Sequence, residues 1–584
     1  MIGPPGTAGP TDPIESIGPP ASGAAQPAGD GVGGVRPPGA SRAAGFGRAA
    51  LLIGGLTVVA RILGFARTLV FADTVKTSCL SAAYVTANQV PNVIYDIVLG
   101  GALTAIVIPI LAGPVDRVGN ATVAADSRAA ASGEVRAISS ALLTWTVVIL
   151  APVSLGLALA AGPAISALMP VNPGSGCARS ALVPIATRML VVFAPQILLY
   201  GLAVVMYGIL QSHKRFFAPA FAPVLSSIVV IVAYAVFVPL GGSYTTHVAG
   251  LPFAAEFALS GGTTLGVAAL MLTAIWPVWR LRLRLRPTFL FPEGIARRAR
   301  SLAGVGVAAL IAQDASVLVV TWLANKYGSG DGSAVTVYSY SWQAFVSIYA
   351  VLAIPIAISA FPVLSARQGV EFDTAAASAT RATVLASWLG AALLTGVAFP
   401  IARAFPALSP VVGNQFALAL VAFAPGLVGY GLTACLARVL FADGRNRAAA
   451  IALVAGWLVV IAADVVVVPL VPARSVVPVL GLANTIGMTA SGIALLVAVA
   501  RARGRAALHG SWRATGAGLA AAVAGAAVGL GLTAAVPVTG HWLNAGLAVG
   551  AGVGVLAVFG AVVALLDGGD LRNVVARMRR RAAS

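Results

Sequence analysis

Apolar residues run along this chain in long stretches separated by short polar segments. A membrane-spanning helix needs about 20 consecutive, mostly apolar residues. Fourteen stretches meet that length: 49–72, 81–112, 138–168, 182–211, 217–240, 258–279, 301–325, 334–365, 380–403, 412–441, 447–471, 475–500, 513–536 and 542–566. Several are long enough to imply tilt or kinks. Pro91, Pro109, Pro152, Pro195, Pro355 and Pro425 fall inside them, tolerable where neighbouring helices satisfy the freed backbone groups. The expected fold is all-α and integral to a membrane, with about 14 transmembrane helices. Residues 1–47 break the pattern, with nine Pro, twelve Gly and no long apolar run. Such a segment buries too little surface to offset ordering entropy, so it reads as a disordered tail. It lacks the apolar core of a signal peptide, and the first apolar stretch is expected both to target the chain and to stay.

The pattern repeats. Phe193-Ala-Pro-Gln-Ile-Leu-Leu-Tyr-Gly-Leu202 in the fourth stretch matches Phe423-Ala-Pro-Gly-Leu-Val-Gly-Tyr-Gly-Leu432 in the tenth. The second stretch ends around Pro109 and the eighth around Pro362 in similar sequence. Stretches one to six therefore correspond to seven to twelve. Six is even, so the two lobes share one orientation and form a parallel repeat, a transporter signature. The expected organisation is a tail (1–47), a first lobe (48–286), a second lobe (287–505), two extra helices (506–566) and a basic tail (567–584).

Composition agrees. Of 584 residues, 59% are hydrophobic and only 9% charged, against about 25% charged in soluble domains. The mean hydropathy is +0.94. These values exclude a cytosolic enzyme, a disordered hub and a disulfide scaffold. The net charge of +19 would suggest nucleic acid in a soluble protein, but no aromatic-plus-basic motif accompanies it. Here it tracks the loops. Arg280, Arg282, Arg284, Arg286, Arg297, Arg298 and Arg300 follow stretch six, Lys214 and Arg215 stretch four, Arg445 and Arg447 stretch ten, and Arg501, Arg503 and Arg505 stretch twelve. Odd-numbered stretches are followed by at most one basic residue. By the positive-inside bias both termini are expected in the cytoplasm.

Charges within a span are costly and usually face a cavity or a partner. Stretch one carries Arg61 and Arg67, about 120° apart around an ideal helix and about 9 Å along it. A bend at Gly64 would bring them together. Guanidinium is a rigid two-pronged donor suited to phosphate; equally, Arg67 reaching an interface and Arg61 pairing with an acid would account for them. Stretch two carries Asn88, Gln89, Asn92 and Asp96, the last three on one face, and Asp96 is an expected partner for Arg61 or Arg67. Arg188 lies in stretch four, Gln313 and Asp314 in seven, Trp342 and Gln343 in eight, Asp464 in eleven, Asn484 and Thr485 in twelve. The first lobe is thus cationic inside, and the second holds two acids. The expectation is an anionic substrate in the first and a coupling cation in the second, the alternative for Asp314 and Asp464 being hydrogen-bonded structural carboxyls.

No GxxxxGK[ST] phosphate loop is present, so ATP drive within the chain is not expected. The four histidines are scattered, and neither a metal cluster nor a nucleophile motif is expected, leaving no resident cofactor. Cys79 and Cys177 both fall in loops on the outer side, as a disulfide or as two free thiols. Cys435 reads as a small core residue.

These residues resemble the MurJ/MviN family, the lipid II flippases of peptidoglycan synthesis, within the multidrug/oligosaccharidyl-lipid/polysaccharide exporter superfamily. The resemblance rests on Thr57-Val-Val-Ala-Arg61-Ile-Leu-Gly-Phe-Ala-Arg67, on Ala87-Asn-Gln-Val-Pro91-Asn92 with the later Gly100-Gly101-Ala102-Leu103 and Ile108-Pro109, and most specifically on Lys214-Arg-Phe-Phe-Ala-Pro-Ala-Phe-Ala-Pro-Val-Leu225. It extends over about residues 49–500, and the family's fourteen helices and two lobes agree with the count.

The resemblance implies a transporter rather than an enzyme, in a bacterial plasma membrane. It implies that a polyprenyl-pyrophosphate-linked headgroup moves through a cationic cavity by alternating access, with the lipid tail against the last two helices. Arg61 and Arg67 match family arginines that would hold the pyrophosphate; Asn92, Asp96, Arg188 and Gln343 complete the expected substrate set. Asp464, with Asp314 and Asn484, is placed near a coupling site for Na+ or H+. Implied partners are lipid II or a related polyprenyl-linked sugar, membrane lipids and cell-wall synthesis machinery. The chain departs from the family where Tyr95-Asp96 and Gln343 stand in place of arginines. Arg188 then becomes a candidate helper, and another lipid-linked oligosaccharide an alternative cargo. A cation-coupled multidrug exporter is a second alternative, against which cavity arginines count.

Overall fold

A computed structural model describes residues 40–97, 104–120, 124–170, 172, 176–245, 248–291, 295–329, 332–405 and 408–566. Residues 1–39 of the expected disordered tail, the Gly100–Leu103 motif and the basic C-terminal tail lie outside them; residues 40–47, expected in that tail, instead open the first helix. The chain divides into two units, Met1–Leu52 and Ile53–Ser584; the helical bundle and its cavities belong to the second.

The first lobe comprises α1 (Ala40–Thr74), α2 (Cys79–Asp96), α3 (Thr104–Gly119), α4 (Ala125–Leu159), α5 (Ala161–Leu168), α6 (Arg179–Phe193), α7 (Gln196–Ser212), α8 (Phe217–Gly241) and α9 (Phe253–Trp279). The second comprises α10 (Ile295–Tyr327), α11 (Ser333–Leu352), α12 (Ile354–Ser365), α13 (Gly369–Gly396), α14 (Ala398–Ala404), α15 (Pro410–Phe423), α16 (Gly426–Ala442), α17 (Asn446–Val467) and α18 (Val476–Arg503), followed by α19 (Ser511–Ala535) and α20 (His541–Leu566). Among the described residues nine helices are long and apolar enough to cross a membrane, or twelve if each bent pair is one span. The expected count of fourteen also needs α1 and the α2–α3 run, and neither is among those twelve. The polar face of α2 lowers its hydropathy.

The repeat is written in the breaks. In the first lobe the third and fourth spans are each two helices (α4–α5, α6–α7), while α1, α8 and α9 run unbroken; the join between α2 and α3 lies outside the described residues. The second lobe divides its third and fourth spans in the same way, α13–α14 and α15–α16, also pairs α11 with α12, and keeps α10, α17 and α18 single. The pairs of the second lobe bend by 41°, 52° and 44°. The Phe-Ala-Pro motif explains one pair of breaks. Proline has no N–H to donate, so the helix ends at Phe193 or Phe423 and restarts beyond the proline for 17 residues in both lobes. Freed carbonyls must find donors in a membrane. The Thr264 hydroxyl donates to the Val192 carbonyl (2.9 Å) in one lobe, and the Thr485 hydroxyl to the Ala422 carbonyl (2.6 Å) in the other.

The last two helices pack on the second lobe, α19 against α13, and α20 against α14 and α19. Their seam is built from small residues, which let backbones approach closely without a hydrophobic drive. A side chain at Gly396 or Gly529 would meet Val555 of α20, at 2.7 Å and 2.9 Å. Basic loops gather at one end of the bundle. There Arg503 binds Asp373 (2.9 Å) and Asp443 (3.5 Å), and Arg445 binds Asp443 (3.0 Å).

Candidate functional site

Between the lobes lies a cavity of about 200 Å3, walled by α1, α2, α7, α8, α9 and α11. Arg67 lines it together with Asn88, Gln89, Asn92 and Gln343. Helix α1 runs unbroken through Gly64, and Arg61 is not brought to Arg67 in the cavity. Arg61 is exposed and does not line the cavity. Among the described residues no carboxylate pairs with Arg67. The Asn88 Oδ1 and Tyr340 hydroxyl in the same wall are buried without a partner. A guanidinium that stays charged, with unsatisfied polar atoms beside it, calls for an anionic, hydrogen-bonding occupant.

Tyrosines shape the floor. The Tyr84 hydroxyl meets the Tyr234 hydroxyl at 2.9 Å and Thr263 Oγ1 at 2.6 Å. Phe71 packs on both rings, with centroids 4.9 Å and 5.1 Å away. This network joins α2, α8 and α9 beneath Arg67, and sequence reasoning misses it. Its members are single tyrosines on helices far apart in the chain, and nothing in their spacing marks them as partners.

Two sequence expectations need correction. Asp96 forms no ion pair with Arg61 or Arg67 among the described residues. Helices α1 and α2 are antiparallel about the turn at 75–78, and at 1.5 Å per residue Asp96 lies about 15 Å further from that turn than Arg67. Tyr95, its neighbour, instead stacks on Tyr200 with centroids 4.0 Å apart. Arg188 is also taken. Its Nε and Nη2 donate to both oxygens of Glu256, at 2.7–3.1 Å, and Glu256 is 3% exposed. The arginine neutralises a buried acid at the start of α9 and does not line the cavity.

In the second lobe Asp314, Asp464 and Asn484 are all buried, at 2%, 0% and 1% exposure. Both oxygens of each aspartate and Oδ1 of Asn484 lack a hydrogen-bond partner. The helix register brings Asp464 and Asn484 to one level. Gly456 of α17 abuts Ser491 of α18, and Gly487 abuts Val460; one further turn along these antiparallel helices sets Asp464 against Ala483 and Asn484. Asp314 is on α10, which packs along α17 with Ala312 against Trp457, Val460 and Met488. Among the described residues no group of three His, Cys, Asp or Glu is arranged for a metal ion. Asp464 and Asn484, buried and unsatisfied at one level, suit an alkali cation or a proton, and Asp314 is a further unsatisfied carboxylate on the neighbouring helix.

At the end opposite the basic loops the cavity is sealed by contacts between the lobes. Ser81 Oγ meets Thr336 Oγ1 at 3.0 Å, Asn325 Nδ2 donates to Thr86 Oγ1 at 3.0 Å, and Asn172 Nδ2 donates to the Gly328 carbonyl at 3.1 Å. Cys79 and Cys177 form a disulfide, Cα atoms 5.7 Å apart, so the disulfide alternative is the one realised. It lies against Gly332 of the second lobe. That glycine has φ +72°, and a side chain there would stand 3.3 Å from the Cys177 sulfur. Cys435 is free and buried.

The sequence pattern of the family described as lipid II flippase MurJ matches residues 71–546. The chain belongs to the MurJ lipid II flippase family. A curated relative, the lipid II flippase MurJ of Burkholderia cenocepacia, is 31% identical over 191 residues, 33% of this chain and 34% of the relative. The match therefore spans about a third of that relative's length. Among solved structures, a lipid II flippase MurJ in an inward closed conformation superposes with a TM-score of 0.64 at 16% identity, covering 88% of this chain and 99% of that one. An inward-facing multidrug resistance MATE family transporter of the MOP superfamily superposes at 0.57 and 15%, covering 78% and 98%. At these identities the likenesses show the fold, one that MurJ proteins share with MATE transporters. In this family member the cavity arginine is Arg67, and Gln343 stands in the opposing wall.

Proposed function

We propose that this protein moves a polyprenyl-pyrophosphate-linked peptidoglycan precursor, lipid II, from the inner to the outer leaflet of a bacterial plasma membrane by alternating access. The observation that carries the reading is Arg67, unpaired in a cavity between the lobes and flanked by Asn88, Gln89, Asn92 and Gln343. Its guanidinium takes a pyrophosphate oxygen pair through two parallel hydrogen bonds, and the amides on α2 and α11 take the remaining oxygens. Asn92 and Gln343 act as neutral substitutes for further cations. Arg61 sits lower on α1 and meets the headgroup on its way to the cavity. Asp96 marks the same entry path.

The basic end of the bundle faces the cytoplasm, with both termini, and the disulfide end faces outward, where oxidation is possible. The seal through Ser81, Asn325 and Gly332 is then the outer gate. Asp464, Asn484 and Asp314 bind the coupling Na+ or H+, whose charge offsets the buried carboxylates and ties the second lobe's state to the membrane potential. Helix α20, with α1 and α14, walls an apolar groove for the polyprenyl tail, and α19 does not line it. The groove is lined by Phe65 and Leu69 of α1, and by Trp542 and Val549 of α20.

The test is complementation. The resident lipid II flippase of a bacterium is depleted, and the chain is expressed as parent, Arg67→Ala and Arg61→Ala at matched levels. Growth and lipid II exposed on the outer leaflet are measured. The parent is expected to rescue, Arg67→Ala to fail and Arg61→Ala to rescue in part. A parent that does not rescue at matched level, or Arg67→Ala that rescues fully, overturns the reading.

A further inference from the structure

The second lobe contains a separate cavity of about 430 Å3 that pyrophosphate binding at Arg67 leaves unused. Its walls include Gln313 of α10, Tyr349 of α11, Tyr430, Thr433 and Arg438 of α16, and Trp457 of α17. Its size falls in the range of ligand sites, roughly 300–1,000 Å3, and its lining has their character, aromatic surface with a few placed polar groups.

Arg438 is the notable member. Its Nη1 donates to the Ala434 carbonyl at 2.6 Å, within its own helix. Among the described residues no carboxylate pairs with it; the nearest acid in sequence, Asp443, is bound by Arg445 and Arg503. A guanidinium one turn inside a helix end commonly stretches to the interface. This one instead forms the wall of a cavity beside Tyr349 and Thr433, and its remaining donors have no partner among the described residues. The aromatic walls are set at angles. The Tyr349 and Tyr430 rings are 4.3 Å apart and tilted by 53°, and Trp457 stands 6.4 Å from Tyr430 at 83°. Such rings present apolar faces with polar rims, which match the C–H faces and hydroxyls of a sugar ring. An organic cation would be repelled by Arg438.

The two cavities share one helix. Gln343 lines the first and Tyr349 the second, six residues or about 9 Å apart along α11. That is a short step for a headgroup longer than its pyrophosphate. We propose that the second-lobe cavity is a headgroup subsite for a saccharide ring and a carboxylate of the peptide attached to it, with Arg438 on the carboxylate and Tyr349, Tyr430 and Trp457 against the ring. This rests on the reading that the cargo is a lipid-linked saccharide, and it assigns the two ends of that headgroup to different lobes.

The test uses the full chain in lipid nanodiscs and two probes, polyprenyl pyrophosphate without sugar and complete lipid II. Arg438→Ala is expected to weaken lipid II binding about tenfold, the loss of one charged hydrogen-bonded contact, and to leave polyprenyl pyrophosphate binding unchanged. The unchanged probe also reports that the variant is folded. Arg67→Ala weakens both probes. Thr433→Val, a milder change in the same wall, weakens lipid II alone by a smaller factor. Lipid II with its carboxyls amidated loses affinity for the parent but none further for Arg438→Ala. If Arg438→Ala affects both probes equally, or neither while the parent binds both, the subsite is overturned and the pyrophosphate reading stands. If the parent binds neither probe, the lipid-linked reading falls and takes the subsite with it.

Discussion

The two lobes share broken third and fourth spans followed by two unbroken helices and treat buried charge in opposite ways. In the first, the buried carboxylate of Glu256 is met by both donor prongs of Arg188. In the second, Asp314 and Asp464 are buried with every side-chain oxygen unpartnered. A matched pair needs nothing from outside and holds α6 against α9. An unmatched carboxylate carries a desolvation cost that some mobile positive charge must relieve. The scaffold is common, so the difference lies in what each lobe leaves unfinished. The first lobe leaves a cation, Arg67, facing the cavity between the lobes, and the second leaves two acids.

The largest effect is expected where that unfinished charge is removed. Asp464→Asn should cut lipid II transport in proteoliposomes by about tenfold or more, because intramembrane ionisable groups of this kind are functional. Its thermal midpoint should hold or rise, since an amide is cheaper to bury than an unpaired carboxylate. Asp314→Asn should behave alike. If either variant lowers stability and transport together, the carboxylate is structural, and the contrast between the lobes disappears.

Much of this contrast is legible in the amino-acid sequence. Phe193-Ala-Pro and Phe423-Ala-Pro are marked by a residue that ends helices on its own, so the repeat needs no tertiary information. Arg67, Asp314 and Asp464 stand out because charge inside an apolar stretch is rare. The role of Arg188 is hidden for the opposite reason. Its partner Glu256 lies 68 residues away on another helix, and one-dimensional spacing says nothing of which helices touch. Asp96 misleads through height, since antiparallel helices carry residues apart as they leave the turn. Arg438 is inconspicuous because a basic residue one turn from a basic loop looks like part of that loop. Only the cavity beside it says otherwise.

A middle-sized effect should appear at the matched pair, and it should be lopsided. Removing Arg188 leaves a carboxylate that is 3% exposed without a counter-charge, whereas removing the charge of Glu256 leaves an arginine whose side chain is 51% exposed and can be hydrated. Arg188→Ala is therefore expected to cost about 3 kcal/mol of stability, at the low end for a broken buried pair, and Glu256→Gln about 1 kcal/mol after screening by solvent. Unfolding midpoints measured side by side decide it. Equal losses would mean that water reaches Glu256, and the first lobe would then not be the one with its charge closed off.

The smallest effect probes the shared scaffold itself. Thr264→Val and Thr485→Val each remove the hydroxyl that satisfies a carbonyl freed at the Phe-Ala-Pro break. Were the lobes equivalent, the two losses would be equal, about 1 kcal/mol for one hydrogen bond. They are not quite equivalent. Thr264 Oγ1 also accepts a 2.9 Å bond from Nε2 of Gln196, which is fully buried and whose Oε1 already lacks a partner. The corresponding residue after the second break is Gly426, packed so closely on Thr485 that a side chain would stand 2.8 Å from its hydroxyl. Thr264→Val should therefore cost about 2 kcal/mol, the second increment being the stranded amide. Replacing Gln196 by leucine in the same chain should remove that increment, leaving the two threonines equal. A Thr264→Val loss that persists undiminished in the Gln196→Leu background would place the asymmetry in the helix break rather than in the polar groups around it.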